Sequence, residues 1–154
     1  MSRREVYATS GARPTILFFA GADLPEDLAL TGNFEAADAN GVPTGGTLNA
    51  DTRLLRLFVR ETQDPDDAPS AKIWIIKGWL ENGETHEKVL DVTCADSNAS
   101  GACVSTKAPV DLGDCFWSDN AGAPELRADW VNPYHGATNN AFYYEKVVQI
   151  PSCR

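Results

Sequence analysis

Basic residues, histidine and long apolar runs are scarce in this sequence, and each shortage removes a class of function. Thirteen Lys and Arg face 22 Asp and Glu, a formal charge of -9 over 154 residues. Such a surface repels a phosphate backbone, so no nucleic-acid partner is expected. No run approaches the roughly 20 apolar residues of a spanning helix, so no membrane span is expected either. Histidine occurs at 86 and 135 only. A hydrolytic metal centre draws on three or more converging His, Asp or Glu ligands, so no cofactor is expected in this chain. His86, in the string Thr-His-Glu-Lys, remains a weak catalytic candidate, set against the commoner surface or hydrogen-bonded histidine. Ser10 lacks the Gly-x-Ser-x-Gly elbow and an assignable base. The glycines at 41, 45 and 46 read as a turn, because no Gly-Lys-Ser/Thr follows them. The basic start, Met1 to Glu5, passes into Val6-Tyr7-Ala8-Thr9 without an apolar core or small-residue cleavage site, so no export signal is read here.

What is present is ordinary globular material, 43% hydrophobic and 23% charged, enough for one domain with a real core. Its cysteines are unevenly placed. Cys94, Cys103, Cys115 and Cys153 all fall late in the chain, among Gly, Asn, Asp and Ser. With no CxxC pair and no histidine at finger spacing, disulfides are the expected use, which implies an oxidising compartment. Four cysteines allow three connectivities. The preferred one joins Cys94 to Cys103, closing a short polar loop, and Cys115 to Cys153, tying a loop to the final strand. The competing use, Cys115 as a nucleophile beside His135, is weaker.

Apolar residues recur with period two. Leu126, Ala128 and Trp130 alternate with Glu125, Arg127 and Asp129, and Leu55, Leu57 and Val59 alternate with Arg56 and Arg60, Phe58 being the exception. Phe142, Tyr144, Val148 and Ile150 share one face, interrupted by Lys146, against Tyr143, Glu145, Val147 and Gln149. Thr15–Phe19 and Ile73–Ile76 are apolar on both faces and read as central strands, and a further strand covers His86–Thr93. Asn82-Gly83 is the best hairpin turn. Helix is confined to a turn or two at Pro25–Leu30 and Phe34–Asp38. The expected fold is mainly β, an antiparallel β-sandwich-like domain with little helix and long loops at 21–50 and 94–124.

Two oxygen-rich loops invite a cation reading. Asp96–Gly101 matches the first half of an EF-hand loop, but its twelfth position is Lys107 rather than glutamate. Asp64, Asp66 and Asp67 beside Pro65 read first as an acidic turn. Among the aromatics, Trp74 and Trp130 lie in strand patterns and are expected in the core. Trp79 and Trp117 lie nearer turns and, with His135 in Asn-Pro-Tyr-His-Gly, form a possible ligand surface for stacking on sugars.

Several runs carry a family resemblance: REVYATSG at 4–11, RPTILFFAG at 13–21, GVPTGGTL at 41–48, KIWIIKGWLENGETHEKVLDV at 72–92, ELRADW at 125–130 and AFYYEKVVQIPSCR at 141–154. In these the chain resembles the C-terminal portion of the bacterial DUF3604 family. The resemblance implies a longer parent whose upstream part is similar to the PHP (polymerase and histidinol phosphatase) superfamily of metal-dependent phosphoesterases. That part opens with a Gly-Asp-x-His-x-His string absent here, and would hold a divalent metal. On this reading residues 1–12, with a strand at Val6–Thr9, are the exit segment of a missing upstream PHP-like domain, and residues 13–154 are a β-sandwich-like C-terminal domain. The function implied is that of a non-catalytic accessory region of a secreted, periplasmic or extracellular, metal-dependent hydrolase. The alternative is a binding module for carbohydrate or another envelope ligand. The partner would be the N-terminal domain of the same protein, and without it the chain is expected to self-associate.

Overall fold

The computed structural model describes residues 5–48, 54–117, 121–132 and 140–153. Among them the elements run β1 (Thr15–Gly21), α1 (Leu28–Thr31), α2 (Phe34–Asn40), β2 (Val42–Pro43), β3 (Arg56–Thr62), β4 (Ser70–Glu81), β5 (Glu84–Cys94), β6 (Glu125–Val131) and β7 (Ala141–Gln149). The strands form two antiparallel sheets, ordered β2-β1-β3-β6 and β5-β4-β7. The expected mainly β, sandwich-like architecture with little helix is the one observed.

Period-two burial makes the sandwich. Phe18 of β1, Leu57 and Val59 of β3 and Leu126 of β6 face Ile73 and Ile75 of β4, with Leu55 beside them. Each such side chain, fully buried, contributes about 1.5–3 kcal/mol, so this layer holds the sheets together. Trp130 packs against it, as expected for a core residue.

Phe58, the exception in the β3 alternation, is not an error of pattern. It points to the outer face of its sheet, where Phe19, Leu24, Leu28 and Ala37 bury it completely under the two short helices. Asp129, across the β3–β6 ladder from Phe58, accepts the α1 amide of Ala29 at 2.8 Å and so ties that helix to the sheet. Asn33 caps α2 by accepting from the Ala36 amide at 3.2 Å. The first long loop is therefore a folded cover on the sheet.

Asn82 and Gly83 have φ of 52° and 83° and join β4 to β5. Two left-handed residues give the turn whose twist matches the strands, which is why Asn-Gly serves here. The β4–β7 ladder then sets which side chains look inward. Val147 lies opposite Ile73, Glu145 opposite Ile75 and Tyr143 opposite Lys77, so this row faces the other sheet. Phe142, Tyr144 and Lys146 look outward.

Two expectations are corrected by this register. The row that contains Phe142 and Tyr144 is the more apolar one in sequence, yet it lies outside, with Phe142 60% and Tyr144 44% exposed. Trp74 is likewise not core. It shares the outer face, donating to Asp91 Oδ1 at 2.6 Å, with the ammonium groups of Lys72 and Lys146 at 4.9 and 5.6 Å from its ring centroid. A third correction concerns Val6–Thr9, which runs outside any ladder rather than as a strand. Its Tyr7 hydroxyl donates to the Pro14 carbonyl at 2.9 Å.

The second long loop is organised by its own bonds. Cys94 and Cys103 form a disulfide, and Ser97 bridges to Cys103. Cys115 and Cys153, expected as the second bridge, are both thiols. Hydrogen bonding from the neighbouring Cys115, followed by burial, raises the Cys153 thiol pKa.

Candidate functional site

Among the described residues the sandwich closes on one side and stays open on the other. Beneath β6, strands β4 and β5 pack against the first sheet. On the opposite side β2 pairs with β1 only at Phe19 and Ala20, and β7 has its ladder with β4 alone. Between these two margins lies a cleft of about 920 Å³. One wall is the inner row of β1, Ile16, Phe18 and Ala20, and the other is β7. The segment 6–10 and the turn at 42–48 line its rim. Its size falls within the range of small-molecule sites, about 300–1,000 Å³.

Among the polar residues that line it are Tyr143 and Glu145 of β7. Tyr143 accepts a hydrogen bond from Asn132 Nδ2 at 2.7 Å, and burial raises its pKa. Glu145 lies at the centre of the β7 wall. Desolvation raises its pKa, and the bond to its own backbone amide offsets this in part. No Lys, Arg or His stands within ion-pair distance of it among the described residues.

A second acid is buried more deeply. Glu61, on the inner face of β3, is 0% exposed, and neither carboxyl oxygen has a hydrogen-bond partner among the described residues. Burial pushes its pKa up to about 7. The Ser70 hydroxyl nearby, which does not reach hydrogen-bond geometry with it, pulls the other way, and the Glu125 charge adds to the rise.

The residues singled out from sequence do not converge on either acid. His86 stands opposite Trp79 in the β4–β5 hairpin, their rings stacked at 5.3 Å and 19°. Lys77 places its ammonium 5.0 Å from the Trp79 ring centroid. This arrangement gives His86 a packing role. Trp117 packs on the Ala68, Ala71, Ala108 and Ile150 cluster, at the other end of β4 from Trp79. The two tryptophans thus share no single surface, and His135 lies outside the described residues. The EF-hand-like loop is spent on itself, since Asn98 Oδ1 accepts from the amides of Ser100 and Ala102, each at 3.0 Å. Asp64 accepts from the Arg13 and Asp66 amides, which lower its pKa and fix the turn. Among the described residues no group of three or more His, Cys, Asp or Glu is placed to hold a metal ion.

Glu61, Glu145 and the outward pair Phe142 and Tyr144 belong to no motif that marks them in the sequence. For β7 the sequence carries no deciding signal, because each row holds one charge, Lys146 in one and Glu145 in the other.

The model of one protein family, described as "Protein of unknown function (DUF3604)", matches residues 1–154. No curated protein and no solved structure matches the chain.

Proposed function

Since the chain belongs to the DUF3604 family, we propose that it is a non-catalytic, β-rich accessory region of a secreted metal-dependent hydrolase, working beside a further domain of the same protein. The observation that supports this best is the segment before β1. Val6 and Tyr7 are 53% and 51% exposed on backbone that pairs with no strand among the described residues, at the rim of the open cleft. Apolar side chains held this way at an unfinished edge suit contact with a neighbouring domain. The resemblance to a PHP-like parent supplies the divalent metal and the chemistry to that domain. The Cys94–Cys103 disulfide hints at an oxidising compartment, in keeping with a periplasmic or extracellular site.

The test compares this chain with a product extended upstream, by hydrogen exchange and by phosphoesterase assay with manganese, zinc or iron. Protection of residues 5–12 and activity should come only with the longer product. Turnover by the short chain that disappears in His86→Ala would overturn the reading.

A carbohydrate-binding role has its own observation in its favour. At Gly78 a Cβ would stand 2.2 Å from the Phe142 ring, so the bare backbone there makes room for that ring over the strand. Phe142 and Tyr144 are stacked at 6.2 Å and 15° and present an aromatic platform to solvent. Retardation of the chain in glycan-containing gels, lost in Phe142→Ala, is the expected result.

A further inference from the structure

The cleft between β1 and β7 combines two properties that are unfavourable together unless something occupies it. Its walls are mainly apolar: Ile16 and Phe18 line one side and Val147 the other, around space wide enough for a small organic molecule. Into that space β7 turns a carboxyl group, Glu145, which has no cationic partner within ion-pair distance among the described residues. A carboxylate half removed from water and left unpaired costs free energy, whereas the same group paired with a cation in an apolar setting is a strong recognition element. The nearest lysine on the inner face, Lys77, directs its charge elsewhere, over the Trp79 and Tyr143 rings and under the influence of Glu81.

From this we propose that the cleft binds a small amphipathic cation, an organic ammonium whose apolar body lies along Ile16, Phe18 and Val147 and whose charged head pairs with Glu145. The Tyr143 hydroxyl, already accepting from Asn132, keeps its own proton to donate to a second polar group on the ligand. Charge favours the same ligand at long range. A chain of net charge -9 concentrates cations near its surface and repels anions. The inference goes beyond the accessory role and does not depend on it, since the site is built from this chain's own residues.

The competing account of Glu145 is a guard. An inward charge at a sheet margin discourages pairing with another strand and needs no ligand. Amide-resolved NMR titrations of the chain with n-hexylammonium, n-hexanol and hexanoate separate the two. The expected result is saturable shifting of β1 and β7 amides by hexylammonium, at least about tenfold tighter than by hexanol, with no binding of hexanoate. Glu145→Gln should reduce hexylammonium affinity to that of hexanol. If hexanol binds as tightly as the ammonium, if Glu145→Gln leaves the affinity unchanged, or if no cleft amide shifts, the proposal fails and the guard stands. Should Glu145→Gln disturb the fold, Ile16→Trp serves instead. It fills the cleft and leaves the acid in place, so hexylammonium must lose its binding there, and persistence of the same shifts would overturn the assignment.

Discussion

Glu61 sits in the row of β3 that includes Leu57 and Val59, where the sandwich has no water to offer its carboxyl group. Its pKa rises from 4.5 to about 7 when the chain folds, so the folded state holds this proton more tightly than the unfolded one. The stabilising effect of that proton is fully present below 4.5 and is lost as pH climbs through 7. One group shifted this far changes stability by about 3 kcal/mol at most. Chemical denaturation across this range should show stability falling with pH, and Glu61→Gln should flatten the curve and raise stability above pH 7. A wild-type curve that is level, or that rises, would contradict the burial. Asp129 and Glu145, whose pKa values are also raised by desolvation, act in the same direction. Asp64 acts in the opposite sense, its contribution being lost as pH falls below the ordinary carboxylate range.

At the scale of strands, Gly78 and Phe142 form a cross-strand pair in which one residue has no side chain and the other lies over it. In Gly78→Val the new side chain would displace the ring. The ring is exposed and can swing out, so lost stacking and gained strand propensity nearly offset, and stability should change by less than about 1 kcal/mol. The platform, however, should vanish. A melting temperature close to wild type together with lost glycan retardation would show that the ring's position matters, and unchanged retardation would remove the platform from consideration. Cys115 and Cys153 carry a second prediction at this scale, because Cys115 lies close enough to raise the Cys153 thiol pKa. Exposed to a disulfide oxidant such as oxidised glutathione, the two thiols should give up two electrons and two protons to form a bridge, visible by non-reducing peptide mapping. Closing that loop should add roughly 2–4 kcal/mol, and two free thiols after oxidation would refute it. The strands themselves were largely legible, since Asn82-Gly83 fixes a hairpin locally and Ile73–Ile76 is apolar on both sides because β4 is the middle strand of its sheet. The outward row of β7 was not. Composition favoured Phe142 and Tyr144 as the buried face, but which face is covered depends on where the other sheet ends. That is decided by β1 and β3, far away in the chain, and the cleft beside Glu145 was hidden for the same reason.

On the whole molecule two forces oppose each other, and ionic strength sets the balance between them. Val6 and Tyr7 are exposed before β1, and Leu80, Val89, Phe142 and Tyr144 are exposed on the outer face of the β5-β4-β7 sheet. Apolar side chains gathered in this way favour contact between copies. The charge of -9 resists that contact. Repulsion reaches about 10 Å at 0.1 M salt and only about 3 Å at 1 M, whereas apolar attraction does not weaken with salt. Association should therefore strengthen as salt is added, the reverse of what an assembly held by ion pairs would do. Sedimentation velocity at low and high ionic strength measures this directly. Two variants then say which surface is responsible: Val6→Ser with Tyr7→Ser clears the segment before β1, and Phe142→Ser with Tyr144→Ser clears the outer face. If the first pair alone restores the monomer, the segment is the docking surface that the accessory role requires. If the second alone does so, the aromatic platform is the sticky surface and the accessory reading loses its main support. A wild-type chain that stays monomeric at both ionic strengths would remove the argument from exposed apolar surface altogether.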